Sequence, residues 1–321
     1  MPGASKAFVR RVAGLLTLAV VSILGRLSLL TARSLARRLA GIAFHLVPRL
    51  SKVALNNLDL AYGDSISPAD KRRIAREAVE NLFYVAFEFP FIARLNKDMI
   101  GTHVHLEGFD RVDFNRGVML IGAHLGNWEW MIPALHYSGH KIACVVRAFD
   151  DPPLQAYVDS TRRAGGMHPI VKERASAEIM QKLRDGWIVG VLIDQSPREN
   201  AVPTTFFGQS TWGTIAPVMA AIRAKVPVHP ASMRRNADGS YVMEFHEAIQ
   251  FVRTGNLHND LVENTQRCQA VIEAEIRRAP GQWLWVHRRW KSRPRLEAEW
   301  NARVKRDVRK QDECEAKGSV S

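Results

Sequence analysis

Short apolar runs alternate with amphipathic helical patterns through residues 100–280, and this alternation is the strongest constraint on the fold. The apolar runs predict strands at residues 103–107, 118–121, 142–146, 188–193, 226–231 and 241–246. The helical patterns lie near residues 128–137, 154–164, 175–184, 215–224 and 257–279. We therefore expect an α/β fold in which a mixed central sheet is covered by helices.

A further helix is expected before this region, beginning at Pro68 and ending before Pro90. Ser67 is a favourable N-cap, and Pro68 suits the first helical position because its missing N–H is not needed there. Asp70 adds negative charge to the first turn, where the helix dipole favours it.

The first fifty residues are apolar and basic. No acidic residue precedes Asp59, whereas nine basic residues do: Lys6, Arg10, Arg11, Arg26, Arg33, Arg37, Arg38, Arg49 and Lys52. Residues 12–25 are uncharged. A spanning helix needs roughly 20 apolar residues, so this run is short unless Arg26 extends its charge to the headgroups.

Apolar and basic residues are also interleaved at helical spacing beyond this run. The apolar members are Leu35, Leu39, Ile42, Ala43 and Leu46, and the basic ones are Arg33, Arg37 and Arg38. This pattern is typical of a helix that lies in the membrane interface. A cleaved signal peptide and an ordinary buried helix are the alternative interpretations of the N-terminal region.

The chain as a whole is strongly basic, with 45 Lys and Arg against 32 Asp and Glu and a net charge of +13. A field of this sign suits an anionic membrane, an acidic protein or nucleic acid. The sequence has no RNP-like segment, zinc finger or helix-turn-helix pattern, so we expect no nucleic-acid partner. Its three cysteines form no CxxC pair, which excludes a disulfide framework and a zinc knuckle.

The C-terminal segment repeats the basic character of the N-terminus. Its basic residues are Arg288, Arg289, Lys291, Arg293, Arg295, Arg303, Lys305, Arg306, Arg309 and Lys310. Such a run usually forms a solvated face, and it also suits contact with anionic phospholipid. The adjoining Trp283, Trp285 and Trp290 fit either a membrane headgroup boundary or a protein core.

The segment at residues 117–130 carries the clearest chemical signal. An apolar strand runs into a Gly-containing turn with His124, and a helix is expected to begin near Asn127 with Glu129 in its first turn. A His held by a carboxylate is a general-base arrangement, because the carboxylate stabilises the imidazolium that forms. The alternative is that Glu129 merely favours the helix dipole while His124 fills the turn. The carboxyl end of a strand, where α/β folds bind ligands, favours the functional interpretation.

This segment resembles the His-x4-Asp/Glu motif of the lysophospholipid acyltransferase superfamily, specifically its lauroyl and myristoyl lipid A biosynthesis branch. The resemblance covers residues 12–292 and includes further segments in the same order. They are residues 53–58 with Ala61 and Tyr62; Val146, Arg147, residues 151–152, Leu154, Arg162 and Gly165; residues 194–195; residues 206–208 with Thr214 and Pro217; and residues 280–291.

The resemblance implies a role for each matched residue. His124 would remove the proton from an acceptor hydroxyl that attacks an acyl thioester, and Glu129 would orient and charge-balance His124. Arg147 and Arg162 would hold phosphate or carbonyl oxygen, with Arg163 as an alternative to its neighbour. Two further residues would shape the same pocket: Asp194 and Gln195.

No covalent intermediate, cofactor or metal is expected. Cys144 lies in an apolar strand, and the sequence lacks a G-x-S-x-G elbow, so direct transfer within a ternary complex fits better than a two-step route. His103, His105 and Glu107 alternate along one expected strand at a spacing compatible with a metal, but solvation of an edge strand explains them better.

The resemblance thus implies an acyltransferase-like fold in three parts: an N-terminal membrane-associating segment at 1–50, an acyltransferase domain at 51–295 and a basic tail at 296–321. The expected enzyme is an O-acyltransferase at the cytoplasmic face of the inner membrane. It would move a fatty acyl group from an acyl-carrier-protein or coenzyme A thioester to a lipid A or glycolipid precursor. The alternatives are another acceptor, such as a phosphatidylinositol mannoside, lysophospholipid or aminolipid, or a non-catalytic lipid-binding protein.

Overall fold

The helices cover both faces of a central sheet in the computed structural model, which describes residues 14, 17, 20–171, 175–302 and 304. They are α1 (Leu29–Leu46), α2 (Pro48–Tyr62), α3 (Pro68–Glu88), α4 (Lys97–His103), α5 (Met131–Tyr137), α6 (Pro152–Ala164), α7 (Ala175–Arg184), α8 (Ala216–Ala224) and α9 (Leu257–Arg278). Residues 20–24 and 294–302 are also helical.

Within the described residues, seven strands form the central sheet and two form a separate hairpin. The strands are β1 (Val104–Glu107), β2 (Val118–Gly122), β3 (Ile142–Val146), β4 (Met167–Val171), β5 (Ile188–Leu192), β6 (Ala201–Phe206), β7 (Gln209–Thr214), β8 (Val228–Arg235) and β9 (Tyr241–Phe245). The order in the sheet is β1-β9-β8-β2-β5-β3-β4, and β6 pairs with β7. The β8/β9 pair is antiparallel and the other pairs of the central sheet are parallel, so the expected mixed α/β sheet is confirmed.

Strand β2 lies near the middle of the sheet and is buried along its whole length. Met119 and Ile121 pack into one apolar cluster, whereas Val118 and Leu120 pack into another. Side chains alternate across a strand, so a continuous apolar run here fills two cores, one on each face of the sheet.

The six strands expected from the apolar runs are present, but three others lacked a clear signal. Strand β4 contains Pro169, which cannot donate to a ladder and is tolerated because β4 is at the sheet edge. Strands β6 and β7 are joined through Phe207 and Gly208, both with positive φ (53° and 73°), which is the backbone that tight hairpins require. The sequences of β4, β6 and β7 therefore lack a strong apolar periodicity.

The expected helix at Pro68 is confirmed as α3. The Ser67 hydroxyl accepts a hydrogen bond from the Asp70 amide at 3.1 Å, and Pro68 occupies the first turn. The helix buries Ile74, and its pattern ends at Glu88, where a 3-10 turn (Phe89–Arg94) begins.

The N-terminal region is only partly described. Most of the uncharged run at 12–25, like the tail beyond residue 304, lies outside the described residues. Among those that are described, no helix combines the length and apolar character needed to cross a membrane. Helix α1 packs on α3 through small residues such as Ala32, Ala36 and Ala40, and its apolar residues Leu39 and Ile42 remain exposed.

Candidate active site

The carboxyl ends of two neighbouring strands bring His124 and Asp194 together. Strands β2 and β5 are parallel, and Gly122 pairs with Leu192 at their ends. Each of the two polar residues follows its strand by two positions, so the register continues into the turns and places them side by side. The Ile193 amide donates to the Gly122 carbonyl at 3.0 Å, which fixes this register.

Asp194 holds both the backbone and the ring of His124. Its Oδ2 accepts from the His124 amide at 3.0 Å, and its Oδ1 lies 2.8 Å from His124 Nδ1. The indole Nε1 of Trp283 also donates to Oδ2 at 2.7 Å. The carboxylate is 1% exposed, so it is enclosed and fully partnered.

The pKa shifts of this pair favour a carboxylate next to a basic imidazole. Burial opposes the charge of Asp194, but the charge of His124 and the bonds from His124 and Trp283 lower the pKa of Asp194 to about 2. Burial likewise opposes the charge of His124, but Asp194 raises the pKa of His124 above its usual value. An ionised Asp194 that accepts Nδ1–H leaves Nε2 of neutral His124 as the basic nitrogen.

The carboxylate in contact with His124 is therefore Asp194, whereas the sequence motif suggested Glu129. Both Glu129 oxygens accept instead from the Arg162 guanidinium, at 3.0 Å from Nε and 2.6 Å from Nη2. Residues Trp128–Trp130 form a 3-10 turn, and the α-helix begins only at Met131. This turn directs Glu129 toward α6, although its charge still contributes to raising the pKa of His124.

Gln195 is the expected pocket residue that lies nearest the basic nitrogen. Its Nε2 atom is 3.3 Å from Nε2 of His124. The ring of Trp128 contacts the His124 ring edge-on, with 5.0 Å between ring centroids. The His124 side chain remains 20% exposed, whereas the Asp194 carboxylate that contacts its Nδ1 is 1% exposed.

The three expected arginines lie in different places. Arg162 joins the site through Glu129, whereas Arg147 is exposed just beyond β3 and forms no hydrogen bond within the described part of the chain. Arg163 lines a cavity of about 480 Å³ with Ile142 and Met167, the first residues of β3 and β4. Arg163 therefore lies at the amino ends of these strands, whereas His124 lies at the carboxyl end of β2. Arg163 does not exchange roles with Arg162.

The segment after α9 is attached to the turn that carries His124. The Leu284 amide donates to the His124 carbonyl at 3.1 Å, and the Gly126 amide donates to the Gln282 carbonyl at 3.0 Å. Gly126 has a φ of +57°, and a Cβ there would meet the Met233 carbonyl oxygen, so glycine is required. Trp283, 1% exposed, belongs to the core, which decides between the two alternatives left by the sequence.

Glu88 anchors the same turn from the other side and was missed in the sequence. It is fully buried, its Oε2 accepts from Asn127 at 2.7 Å and from the Tyr241 hydroxyl at 2.6 Å, and its Oε1 accepts from Arg33 at 2.7 Å and from Arg235. Burial opposes its charge, but the two arginines lower its pKa. Glu88 and these four partners form the Glu88 cluster. Asn127 lies between His124 and Glu129 in the chain, so the cluster positions the turn that carries His124.

A local signal for this cluster does exist. Asn81 and Glu88 follow Ile74 at intervals of seven residues, so they lie on the apolar face of α3, where polar side chains need partners. Asn81 uses its amide to donate to the carbonyls of Gly126 and Gln282, both at 2.9 Å.

Arg289 is buried, although the basic C-terminal run predicted a solvated face. Its side chain is fully buried and donates to Thr211 Oγ1 at 2.9 Å, the Trp212 carbonyl at 2.8 Å and Gln269 Oε1 at 2.9 Å. Burial lowers the pKa of Arg289 to about 10, while the nearby charge of Asp194 opposes this shift. The guanidinium therefore adds positive charge behind the His124 site.

The first of two groups of residues that could bind a metal is the set His103, His105 and Glu107. His103 ends α4 whereas His105 and Glu107 lie in β1, so the alternating strand spacing does not hold for all three.

A second group, Glu244, His246 and Glu275, offers ligand atoms close together. Arg278 donates to Glu244 at 2.8 Å and to Glu275 at 2.9 Å, and Arg234 donates to Glu244 at 2.6 Å. The two guanidinium groups thus neutralise the carboxylate charges that would otherwise bind a metal cation.

Comparison with known proteins gives matches to a family model, to known sequences and to a solved structure. The model of a family described as bacterial lipid A biosynthesis acyltransferase matches residues 4–292. A lipid A biosynthesis acyltransferase of Haemophilus influenzae is 25% identical over 260 residues, which cover 77% of this chain and 79% of the relative. A lipid A biosynthesis lauroyltransferase of Escherichia coli is 22% identical over 263 residues, which cover 80% and 84%, respectively. A crystal structure of the 1-acyl-sn-glycerophosphate acyltransferase of Thermotoga maritima aligns with a TM-score of 0.33 and 15% identity, covering 83% of this chain and 99% of that one.

Proposed function

The chain belongs to the bacterial lipid A biosynthesis acyltransferase family and is an acyltransferase, and we propose that it acylates a hydroxyl of a lipid A or glycolipid precursor. The acyl donor in this proposal is an acyl-carrier-protein or coenzyme A thioester. The observation that carries the proposal is the enclosed contact between Nδ1 of His124 and Asp194, which leaves Nε2 as the basic nitrogen of a 20% exposed side chain.

The proposed reaction is a direct transfer. His124 Nε2 removes the proton of the acceptor hydroxyl while the hydroxyl oxygen attacks the thioester carbonyl carbon, and negative charge develops on the carbonyl oxygen. The C–S bond then breaks, and the leaving thiolate takes the proton back from His124. Asp194 fixes the tautomer that makes Nε2 basic and stabilises the imidazolium between the two steps. Gln195, near Nε2, orients the acceptor hydroxyl.

The pair of Glu129 and Arg162 supplies a positive group that binds the substrate in the proposed reaction. Glu129 is 9% exposed and holds Arg162 through two bonds, so the planar guanidinium has a fixed orientation near His124. The remaining guanidinium N–H groups contact phosphate or carbonyl oxygen of a substrate. Arg147, exposed beyond the end of β3, contacts an acceptor phosphate from the rim.

The described cysteines give no support to an acyl-enzyme. Burial raises the pKa of Cys144 to about 12 and that of Cys268 to about 12, so both thiols are protonated at neutral pH. A protonated thiol is a poor nucleophile, which favours the ternary complex.

We also propose that the N-terminal segment, residues 1–50, attaches the enzyme to the cytoplasmic face of the inner membrane. Helix α1 buries small residues against the protein, and its exposed apolar residues include Leu30 (78% exposed), Ile42 (53%) and Leu46 (74%). Exposed leucines combined with Arg37 and Arg38 suit an interfacial helix on anionic lipid. Residues 51–295 then form the acyltransferase domain and residues 296–321 a basic tail.

The proposed function is tested by mass spectrometry of reaction products. Purified protein in detergent is incubated with an acyl-carrier-protein thioester or acyl-coenzyme A and a tetra-acylated or penta-acylated lipid A precursor. The wild type and a His105→Ala control, altered at an exposed β1 histidine, are expected to add the mass of one acyl group. His124→Ala is expected to add none, and circular dichroism checks that this variant is folded.

Two outcomes contradict the proposal in different ways. Unchanged turnover by His124→Ala removes the assigned general base. Slow thioester hydrolysis that depends on His124, without transfer, retains the chemistry but rejects the lipid A acceptor, and the same assay is then run with lysophospholipid and phosphatidylinositol mannoside.

A further inference from the structure

His287 lies in the segment that is hydrogen-bonded to the His124 turn. In this segment the Leu284 amide donates to the His124 carbonyl at 3.1 Å, and Trp283 donates to Asp194 at 2.7 Å. Three residues after Leu284, the His287 ring is close enough for the charges of His124 and Asp194 to act on its titration. Two histidines from distant parts of the chain therefore share one neighbourhood.

The backbone of His287 is fixed on both sides. Its amide donates to the Leu284 carbonyl at 3.2 Å, and its carbonyl accepts from the Asn57 side chain at 2.7 Å. Asn57 is 5% exposed and also donates to the Trp285 carbonyl at 2.6 Å. A buried amide that clamps two carbonyls holds the backbone at His287 in place.

The ring itself has no protein partner. Nδ1 is buried and forms no hydrogen bond, and Nε2 forms none with any described residue, while the side chain as a whole is half-buried. A proton on buried Nδ1 lacks an acceptor, which costs free energy. Nε2 is the ring nitrogen that is not buried, so a proton on Nε2 can be donated to a bound ligand.

The electrostatic surroundings keep this ring neutral. Burial is the main cause that lowers the pKa of His287 to about 4; the charge of Asp194 opposes this, whereas His124, Arg289 and Arg293 add to it. A neutral ring does not repel His124 when His124 becomes an imidazolium. It is also too weak an acid to lose its remaining proton, so it is a stable hydrogen-bond donor.

We propose that His287 is a second active-site histidine, whose neutral ring donates a hydrogen bond from Nε2 to the carbonyl oxygen of the acyl thioester. This inference rests on the proposed function, because it needs the tetrahedral oxygen that forms when the acceptor attacks. An uncharged donor carried by a fixed backbone beside a general base stabilises the negative charge on that oxygen.

Three substitutions of His287 test this inference. His287→Gln carries an amide N–H that reaches the region of Nε2, whereas His287→Asn reaches only the region of Nδ1, and His287→Phe keeps a ring without a donor. We expect kcat to fall by about 100-fold in His287→Phe and His287→Asn, and KM for the thioester to change little, since the bond strengthens in the transition state. His287→Gln is expected to recover much of kcat.

Stability and a matched variant separate this role from a structural one. Because the ring bonds to no described protein group, the melting temperatures of the three variants are expected to stay within about 2 °C of the wild type. His105→Gln, at an exposed strand position, is expected to retain wild-type kcat.

Each result bears on a defined claim. A kcat for His287→Phe within about twofold of an active wild type overturns the role of His287 and leaves the proposed function intact. Recovery by asparagine rather than glutamine, or a rise of KM alone, also overturns it. Folded wild-type protein that transfers no acyl group overturns the proposed function and this inference together.

Discussion

The Nδ1 atom of His124 lies 2.8 Å from Oδ1 of Asp194, although 70 residues separate the two in the chain. The contact follows from the pairing of β2 with β5, whose last residues are in register. Asp194 is also bound by the His124 amide and the Trp283 indole, so the carboxylate cannot rotate away from the ring. Asp194 is therefore the carboxylate that orients His124.

Asp194→Asn is expected to lower kcat by about three orders of magnitude or more. An asparagine amide donates to Nδ1, which moves the ring proton to Nε2 and blocks proton removal by that atom. Single-turnover acyl transfer measures the effect, with circular dichroism as the control for folding. A loss of less than about tenfold in folded protein contradicts the assignment of Asp194.

Glu129 and Arg162 are expected to behave as a coupled pair. Either Glu129→Gln or Arg162→Gln leaves a largely buried partner without its opposite charge, because the side chains are 9% and 17% exposed. A double-mutant cycle on the free energy of unfolding is expected to show a coupling energy of about 1–3 kcal/mol. Additive effects would mean that the two-bond contact does not form in solution.

The activity is expected to rise with pH through a midpoint above the ordinary imidazole value. His124 acts when neutral, and Asp194 and Glu129 raise the pKa of His124 while burial and Arg162 lower it. Removing the charge with Asp194→Asn is expected to move the midpoint of residual kcat/KM toward lower pH. A profile measured with both proteins checks this, and an unchanged midpoint argues that another group titrates.

The same pair gives a second pH effect, on stability. The pKa of Asp194 in the folded protein is about 2, below its ordinary value of 3.8. The contribution of Asp194 to the free energy of unfolding is therefore complete above about pH 5 and is lost as pH falls through both pKa values. In urea unfolding between pH 5 and pH 2, Asp194→Asn is expected to lose less stability than the wild type.

Glu88→Gln is expected to destabilise the fold by about 3–5 kcal/mol, because Arg33 and Arg235 would lose their shared buried counter-charge. Urea unfolding measures the loss. The matched control is Glu299→Gln, which removes an exposed pair with Arg295 (52% and 79% exposed) and is expected to change stability by less than about 1 kcal/mol. Equal effects of the two substitutions would contradict the burial of the Glu88 cluster.

Replacing Leu39 and Ile42 together by serine is expected to weaken binding to vesicles of anionic phospholipid several-fold. Their side chains are 36% and 53% exposed, so little packing is lost and the melting temperature is expected to hold. Leu257→Ser, at a 50% exposed leucine of α9, is the control and is expected to bind vesicles normally. Equal binding by the double variant rejects α1 as the membrane-contacting surface.

Local patterns in the sequence predicted much of the fold. Continuous apolar residues predicted β2, and the Ser67 cap with Pro68 predicted the start of α3, because these signals depend on neighbours within a few residues. Strand β4 and the β6/β7 hairpin were missed because their stability comes from the sheet edge and from a turn with positive φ at Phe207. Neither cause appears as periodic apolar residues.

The sequence by itself determined the mixed α/β class, the position of His124 after a buried strand and the resemblance to the acyltransferase family. Tertiary structure alone decided that Asp194 contacts His124 while Glu129 binds Arg162. It also decided that the segment before His287 is bonded to both members of the first pair, through Leu284 to His124 and through Trp283 to Asp194. The physical reason is that strand order and register bring together residues far apart in the chain, and the direction of a side chain from a turn depends on the elements packed around it.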